Sequence, residues 1–387
     1  MQSIVILGST GSIGVQALEV IAANPDRFRV LALSAGGANL ELLIEQAIAF
    51  GVEVIGVSKN GERARELVAA RGASITVIDG AHASTEIAAI TCDIVLNGIT
   101  GSIGLAPTLS ALQAGNKLAL ANKESLVAGG ELVMKLVRER GAGYLLPVDS
   151  EHSALYQCFL AGKRSEVKRA ILTASGGAFR DRADLSGVTL SEALAHPTWS
   201  MGPVVTINSA TLVNKGLEIM EAHYLFDLPY NQIEAVIHPQ SVVHSMVEFN
   251  DGATIAHASP PSMKGPISYA IGATDRVAKA TSPIDWSAPH TWTFAPIDPK
   301  KYPAIDLARH CGTLGGALPA IFNAANEVAV DAFINGQIAF VDIVTIVAKS
   351  VATLESASSS APRDLADVSA IEEDARRVAQ ALTAVTN

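Results

Sequence analysis

The stretch SIVILGSTGSIG, residues 3–14, decides the fold of the N-terminal region. It begins as an apolar, β-branched run, which is typical of a buried strand, and glycines follow at positions 8, 11 and 14. Glycine lets the turn tighten and lets the backbone approach a pyrophosphate at the N-terminus of the next helix. GxxGxxG is looser than GxGxxG, but its place between strand and helix favours a dinucleotide site over a glycine turn without a ligand.

The same alternation of apolar and helical runs continues through the first 150 residues. Strands are predicted at 3–7, 29–34, 54–57, 75–78, 94–97, 117–121 and 143–148, with helices such as 13–23, 40–50 and 62–71 between them. This α/β pattern predicts a Rossmann-like, doubly wound parallel sheet. The sequence TGSIG occurs at 10–14 and again at 100–104, so we expect two turns that open on the same edge of that sheet.

The remaining sequence predicts two further structural regions. A strand at 167–172, a helix at 209–226 capped by Ser209, and strands at 235–249 and 253–257 joined through Asn250-Asp251-Gly252 predict an α+β domain with an antiparallel ribbon. Five prolines in 283–303 argue against regular structure there. Helices at 304–311, 317–335, 341–354 and 368–385 predict a C-terminal helical bundle. The predicted segments are 1–148, 149–282, the linker 283–303, and 304–387.

Composition limits the classes of partner. The 387 residues are 49% hydrophobic and 17% charged, which is typical of a globular protein with two or three domains. A net charge of −10 without a lysine-arginine run argues against a nucleic-acid partner, and the apolar runs are too short to span a membrane. Three cysteines without a CxxC pair or a signal peptide predict a cytoplasmic location.

The end of the second strand indicates which dinucleotide binds. NAD enzymes usually carry an acidic residue there, which bonds the ribose hydroxyl. Residues 34–39, SAGGAN, contain no acid, and this favours NADP. Ser34 or Asn39 is the predicted partner of the extra phosphate.

Residues 146–152, LPVDSEH, place two carboxylates after an apolar strand. If the chain is extended there, Asp149 and Glu151 face one spot while the Ser150 side chain turns away, and hard oxygen donors of this kind suit Mg²⁺ or Mn²⁺. Glu218 is the best third ligand, since it shares a helix face with Asn214 and Lys215. Lys215 and Asn214 would then bind a phosphate or a sugar oxygen. A solvated Lys215–Glu218 pair is the alternative.

Three other motifs suit a binding site. Ser175-Gly176-Gly177 offers a hydroxyl and free N–H groups for an anion, or is an ordinary turn. HPTWSMG at 196–202 suits a mobile lid with His196 and Trp199, or a packed surface loop. Asn122-Lys123-Glu124-Ser125 follows a strand at the predicted ligand edge, where Lys123 would orient a carbonyl, or is only a polar helix N-terminus.

Taken in order, these motifs resemble those of the 1-deoxy-D-xylulose 5-phosphate reductoisomerase family. The resemblance extends from the N-terminus into the helical tail. It is carried by GSTGSIG at 8–14, NKES at 122–125, PVDSEH at 147–152, SGG at 175–177, HPTWSMG at 196–202, SATLVNKGLE at 209–218 and HPQSVVHSMVEF at 238–249.

The resemblance implies an NADPH-dependent homodimer that requires Mn²⁺, Mg²⁺ or Co²⁺. Its substrate would be rearranged and then reduced to 2-C-methyl-D-erythritol 4-phosphate, in the non-mevalonate isoprenoid pathway. Segment 149–282 would hold the catalytic, metal-binding and dimerisation functions. Many members carry a basic residue at the position of Gly37. This chain therefore departs from the family at a position expected to bind the 2′-phosphate of NADPH.

The resemblance also implies roles for individual residues. The metal ligands would be Asp149, Glu151 and Glu218, which are catalytic together with Lys123 and His196. Substrate contacts would come from these residues and from Ser150, Ser175, Trp199, Ser209, Asn214 and Lys215. Cofactor contacts would come from Thr10, Gly11, Ser12, Ile13, Gly36, Asn122, Glu124 and Gly202.

Two other functions are open at this point. A metal-free dehydrogenase would acylate Cys158 and transfer only a hydride. A non-catalytic NADP-sensing protein would use its carboxylates for structure alone.

Overall fold

The computed structural model describes residues 1–141, 143–199, 201–357 and 360–385. Its first compact unit is Met1–Ser125, Val133–Ser153 and Ser262–Ser282, and its second is Leu126–Leu132, Ala154–Pro261 and Pro283–Asn387. Ser200 of the lid motif lies outside the described residues, as do these residues of the predicted domains: Ala142, Ser358, Ser359, Thr386 and Asn387.

The strands are numbered in chain order. They are β1 (Gln2–Leu7), β2 (Phe28–Ala35), β3 (Val54–Val57), β4 (Thr76–Asp79), β5 (Ile94–Asn97), β6 (Lys117–Leu120), β7 (Leu145–Pro147), β8 (Val167–Ala174), β9 (Ile233–Ile237), β10 (Val243–Phe249), β11 (Thr254–Ala258) and β12 (Ala295–Pro296).

The helices are numbered in the same way. They are α1 (Ser12–Ala22), α2 (Leu40–Ala49), α3 (Gly61–Ala70), α4 (Ala83–Ala88), α5 (Leu105–Gln113), α6 (Lys123–Arg140), α7 (Ser150–Phe159), α8 (Leu190–Ala193), α9 (Pro203–Thr211), α10 (Val213–Phe226), α11 (Lys264–Ile271), α12 (Ala304–Leu314), α13 (Leu318–Ile334), α14 (Asp342–Leu354) and α15 (Leu365–Val385). Among the described residues, every helix is too short or too polar to cross a bilayer.

The first unit contains a seven-stranded parallel sheet with strand order β4-β3-β2-β1-β5-β6-β7. Four successive residues of β1, from Ile4 to Leu7, are fully buried. A strand buried on both faces reads as a continuous apolar run, which is why the sequence pattern identified it. The predicted Rossmann-like sheet is confirmed.

The two TGSIG segments follow neighbouring parallel strands of this sheet. The first opens α1 after β1, and the second forms a 3-10 turn at Ser102–Gly104 before α5. Because β1 pairs with β5 in parallel, both turns lie at the carboxyl edge of the sheet. The expectation of two turns on one edge is confirmed.

The second unit contains a five-stranded mixed sheet with strand order β11-β10-β8-β9-β12. The predicted Asp-Gly hairpin is confirmed, since β10 and β11 pair antiparallel across a turn with Gly252 at φ +90°. The prediction of one strand over 235–249 is wrong. The chain bends after β9, where the His238 ring accepts the N–H of Val243 and Ser241 adopts φ +51°.

The predicted linker 283–303 does contain a short regular element. Ala295 and Pro296 form β12 and pair with β9, so the prediction of no regular structure was wrong at these two residues. Proline is tolerated on an edge strand because its missing N–H is not needed there.

The C-terminal helices of the second unit, α12 to α15, confirm the predicted helical bundle. Apolar side chains from α13 and α14 fill its interior, including fully buried Phe322, Val330, Ile343 and Val347. The removal of these apolar side chains from water is the main force that holds such helices together.

The glycine at position 14 is required by close backbone packing. A Cβ there would lie 2.4 Å from the Ser9 Cα and 2.5 Å from the Gly8 carbonyl oxygen. We expect Gly14→Ala to lower the free energy of unfolding by about 3 kcal/mol, as severe overpacking does. Gly36→Ala is the matched control, because a Cβ at Gly36 meets nothing within 4 Å. Equal urea midpoints for the two variants would contradict this account.

Candidate active site

The turn between β1 and α1 has the geometry of a pyrophosphate cradle. Gly8 adopts φ +77°, and the Gly11 N–H donates to the Gly8 carbonyl at 3.0 Å. Gly11 is the N-cap of α1 and brings no side chain to cover the first N–H groups of the helix. Those groups and the helix dipole suit a phosphate anion. Of the remaining predicted contacts, Thr10 lies on this turn, and Ser12 and Ile13 are the first two residues of α1.

The segment after β2 separates the two predicted partners of the 2′-phosphate. Ser34 is fully buried and its hydroxyl lies 3.0 Å from the Ser84 hydroxyl, so the prediction that Ser34 bonds a ligand phosphate was wrong. Asn39 is exposed and caps α2, since its Oδ1 accepts the Leu42 N–H at 3.2 Å. Its Nδ2 is a neutral donor, three positions after Gly36 in the sequence.

The NKES motif forms the N-terminus of α6 at the carboxyl end of β6. Asn122 is buried and acts as the N-cap, because its Oδ1 accepts the Ser125 N–H at 2.8 Å. Its Nδ2 donates to the Gly101 carbonyl at 2.8 Å and so holds the second TGSIG turn. Glu124 lies in the first turn of α6. Asn122 therefore stabilises the loop that follows β5 at the carboxyl edge of the sheet.

Asp149 and Glu151 do not lie on extended chain, so that part of the prediction was wrong. Helix α7 begins at Ser150, and Asp149 Oδ1 accepts the Ser150 N–H at 2.9 Å. The Ser150 hydroxyl is not turned away, since it donates to Glu151 Oε2 at 2.5 Å. An acidic residue before a helix and another in its first turn are favoured there by the helix dipole.

These two carboxylates and Lys123 form a charged group within the first unit. Lys123 Nζ lies 2.5 Å from Asp149 Oδ2, and the buried His152 Nδ1 lies 3.8 Å from the same oxygen. Asp149 thus already holds one cationic group. Its hard oxygen atoms and those of Glu151 fit a divalent ion such as Mg²⁺ or Mn²⁺.

In the second unit, the predicted helix 209–226 is interrupted, and Ser209 is not its cap. Helix α9 ends at Thr211 and α10 begins at Val213, because Leu212 adopts φ +56°. Leu212 is nearly fully buried in the core beneath the mixed sheet, which offsets the roughly 1–2 kcal/mol cost of a left-handed residue. Ser209 lies in the last turn of α9.

The predicted triad on α10 is buried and internally bonded. Lys215 Nζ donates to the Thr173 carbonyl at 2.5 Å and pairs with Glu218 Oε2. Asn214 Nδ2 donates to the other Glu218 oxygen. The Lys215 and Glu218 side chains are 4% and 1% exposed, so the alternative of a solvated pair is wrong.

The Ser175-Gly176-Gly177 turn lies against the end of α9. Both glycines adopt positive φ, and the Gly177 N–H donates to Ser175 Oγ at 3.2 Å. A Cβ on Gly177 would lie 2.6 Å from the Ser209 carbonyl oxygen. The turn and Ser209 are therefore neighbours, and the region offers two hydroxyl groups near backbone donors.

His196 holds the start of the predicted lid. Its Nδ1 accepts the N–H groups of Thr198 and Trp199, at 3.1 and 2.8 Å, so in the neutral ring the proton is on Nε2. Nε2 lies 2.9 Å from Ser175 Oγ and donates to it. The Trp199 ring lies 6.2 Å from the His244 ring, between centroids. Gly202 is the exposed N-cap of α9, with Pro203 after it.

Arg180, which the sequence motifs did not indicate, lies beside this turn. Its Nη1 donates to the Ser175 carbonyl at 3.2 Å. Burial, and then the Arg180 charge, lower the pKa of His196 from its ordinary value of 6.5. The signal for Arg180 was a basic residue three positions after a Gly-Gly pair.

We expect the loop that His196 holds through Thr198 and Trp199 to weaken as the pH falls below 6.5. In the unfolded chain His196 binds a proton near pH 6.5, whereas the lowered pKa of the folded protein delays protonation. The contribution of His196 to the free energy of unfolding is therefore complete above its unfolded-state pKa of about 6.5. It is lost as the pH falls from there through the lower pKa of the folded protein. Protonated Nδ1 would no longer accept the two N–H groups. The measurements are an NMR titration of the ring and KM for the substrate against pH. A ring pKa above 6.5 would contradict this prediction.

Cys158 does not have the properties of a nucleophile. It is buried, and its burial raises the pKa of the thiol to about 11. A thiolate, which is the reactive form, is therefore scarce at neutral pH. The alternative of an acyl-cysteine dehydrogenase is disfavoured.

The predicted residues thus form two groups, each within one unit. The first unit holds the nucleotide turn, Gly36, Asn39, the NKES motif and the Asp149–Glu151 pair. The second holds Ser175, His196, Trp199, Gly202, Ser209, Asn214, Lys215 and Glu218.

Comparison with family models gives three matches along the chain. The 1-deoxy-D-xylulose 5-phosphate reductoisomerase model matches residues 4–130, and its C-terminal domain model matches 145–226. A DXP reductoisomerase C-terminal domain model matches 258–378. Two relatives with this enzyme name come from Kitasatospora griseola and Streptomyces coelicolor. They are 54% and 51% identical over 98% and 100% of this chain, and over 100% and 93% of their own length.

Solved structures give the same result. A DOX-P reductoisomerase in complex with NADPH, fosmidomycin and magnesium is 37% identical with a TM-score of 0.94, over 100% of this chain and 99% of its own. The enzyme from Zymomonas mobilis in complex with NADPH is 40% identical with a TM-score of 0.91, over 99% of both chains.

Proposed function

The chain belongs to the 1-deoxy-D-xylulose 5-phosphate reductoisomerase family, and from that premise we propose which of its residues carry the reaction. It is an NADPH-dependent, metal-dependent reductoisomerase of isoprenoid biosynthesis. It converts 1-deoxy-D-xylulose 5-phosphate to 2-C-methyl-D-erythritol 4-phosphate. The carbon skeleton is first rearranged to a branched aldehyde phosphate, and this aldehyde is then reduced.

Asp149, Glu151 and Glu218 are the proposed ligands of the divalent cation. The observation that carries this proposal is the pair of adjacent carboxylates at the start of α7, with the Lys123 ammonium 2.5 Å from Asp149. When bound, the cation supplies Lewis-acid stabilisation of substrate oxygens, and NADPH supplies the hydride. Lys123 then neutralises part of the carboxylate charge and, with Ser150, contacts the reacting end of the substrate.

Ser175, Ser209, Asn214 and Lys215 are the proposed substrate-binding group for the phosphate end. They are supported by the buried Lys215 ammonium and by the Ser175 turn, in which both glycines adopt positive φ. Binding energy from a remote phosphate can align the reacting carbons and close a lid. His196 positions Ser175 through the Nε2–Oγ bond and holds the backbone before Trp199. Trp199 covers the substrate and excludes water.

The cofactor is proposed to bind along the carboxyl edge of the parallel sheet. Its pyrophosphate would lie on the turn formed by Thr10, Gly11, Ser12 and Ile13, where a Cβ at Gly8 or Gly14 would strike backbone. Gly36 and Asn39 would contact the adenosine end. Asn122, Glu124 and Gly202 complete the proposed contacts.

The decisive test is NADPH oxidation with 1-deoxy-D-xylulose 5-phosphate, with and without added Mn²⁺. We expect turnover that a chelator abolishes and Mn²⁺ restores. Cofactor binding without substrate-dependent oxidation at any metal concentration would favour the NADP-sensing alternative instead.

A homodimer in the cytoplasm completes the proposal. The family resemblance supports the dimer, and three free thiols support a reducing compartment. Light scattering of the purified chain and fractionation of cells test these two points. We also retain the four segments 1–148, 149–282, 283–303 and 304–387 as a proposal. Limited proteolysis, with cleavage first in 283–303, is its test.

A further inference from the structure

The carboxyl end of β2 carries no charged side chain for the 2′-phosphate of NADPH. The segment from Ser34 to Asn39 is neutral, and Ser34 is buried against Ser84. NADP enzymes of this fold place a basic residue near this point. In a chain with a net charge of −10, a dianionic phosphate needs a local cation.

The loop after β3 is fastened directly to this segment. Strands β2 and β3 are parallel neighbours, with Ala35 opposite Val57. Beyond them, the Ser58 N–H donates to the Ala35 carbonyl at 3.2 Å and Asn60 Nδ2 donates to the Gly37 carbonyl at 3.1 Å. These bonds flank Lys59 on both sides and hold its backbone against Gly37.

Gly37 itself has no space for a side chain. It adopts φ +94°, and a Cβ there would lie 2.2 Å from the Lys59 carbonyl oxygen. A lysine or arginine at position 37 would require the loop after β3 to move. The same contact that excludes a cation from position 37 places Lys59 beside it.

The Lys59 ammonium is available for a ligand. Lys59 is exposed, and its ammonium has no ion pair or hydrogen bond within the described part of the chain. Asp79, which ends the neighbouring strand β4, is already paired with Arg65. Glu62, in the first turn of α3, is exposed and is the acid closest to Lys59 in sequence.

We propose that Lys59 binds the 2′-phosphate of NADPH and makes this chain prefer NADPH over NADH. The proposal rests on the proposed function, in which NADPH occupies the carboxyl edge of the parallel sheet. Lysine suits the task because its flexible four-carbon stem brings a point charge to a phosphate. The exposed Asn39, at the N-cap of α2, would add a neutral hydrogen bond from its amide Nδ2.

The test compares Lys59→Ala, Lys59→Arg and the control Lys135→Ala, which removes an exposed lysine well inside α6. We expect Lys59→Ala to raise KM for NADPH roughly 10- to 100-fold, the worth of one charged hydrogen bond, with KM for NADH unchanged. Lys59→Arg should keep the preference for NADPH, and Lys135→Ala should match the parent. An unchanged ratio of the two KM values in Lys59→Ala would overturn the proposal.

Adenosine 2′,5′-bisphosphate gives a second readout that does not depend on turnover. In a direct binding titration it should bind the parent more tightly than 5′-AMP does, and Lys59→Ala should remove that difference. Retention of the difference would overturn the role of Lys59. A parent that binds NADPH but does not oxidise it with substrate would overturn the proposed function. The role of Lys59 would still be judged by the affinities of the two adenosine phosphates for the parent and for Lys59→Ala.

Discussion

Glu218→Gln is expected to abolish turnover while leaving NADPH binding intact. The change removes one proposed ligand charge from the cation and keeps the shape of the side chain. Loss of about 4 kcal/mol of transition-state stabilisation corresponds to a roughly 10³-fold fall in kcat. The measurements are steady-state kcat at saturating Mn²⁺ and an NADPH titration by fluorescence.

A fall in activity alone would not distinguish catalysis from unfolding. Glu221→Gln serves as a control for stability only, because it neutralises another buried carboxylate on α10. Urea denaturation of both variants shows how much free energy of unfolding such a change costs. If Glu218→Gln turned over substrate at the parent rate, Glu218 would not be a metal ligand.

Lys215→Ala is expected to raise KM for the substrate about 10²-fold, since it removes a charged hydrogen-bond donor from the proposed phosphate site. It should also destabilise the fold. Breaking a buried pair leaves Glu218 uncompensated, and such changes cost about 3–5 kcal/mol. The measurements are KM and the urea midpoint.

A ligand readout separates these two effects. Inorganic phosphate should raise the melting temperature of the parent, because a ligand that binds only the folded state stabilises it. Lys215→Ala should show little or no such shift at the same phosphate concentration. An equal shift in parent and variant would remove Lys215 from the phosphate site, even if the variant is less stable.

The parallel sheet could be predicted because its strands are buried on both faces. Ile4, Ile55 and Leu96 are fully buried, so local composition and tertiary environment agree. The break after β9 was concealed by a continuing apolar pattern, although Pro239 was a signal for a bend.

The break at Leu212 had no comparable signal. The surrounding sequence, SATLVNK, contains no glycine or proline, and the left-handed backbone is stabilised by burial of the Leu212 side chain in a core built by distant strands. Local patterning does not report such a tertiary effect. The prediction of an extended chain at Asp149 was wrong for a different reason. A signal was present there, because an acidic residue followed by Ser150 and Glu151 is a recognised helix start.

The site residues were predicted by motif, whereas their partners required coordinates. Nothing in the sequence pairs Lys123 with Asp149, because that contact joins two separate segments of the chain. The same holds for Lys59, which is separated from Gly37 by a whole helix and strand. Arg180 is close to Ser175 in sequence, but its bond to the Ser175 carbonyl depends on the conformation of the glycine turn between them.

The chemistry of the cysteines bears on how this enzyme can be inhibited. Burial raises the pKa of Cys92 and Cys158 to about 11, and that of Cys311 to about 12. Alkylating drugs and other electrophilic warheads will therefore find few anionic sulfur atoms to attack at physiological pH. For the same reason, the purified enzyme should withstand storage in air without added reductant.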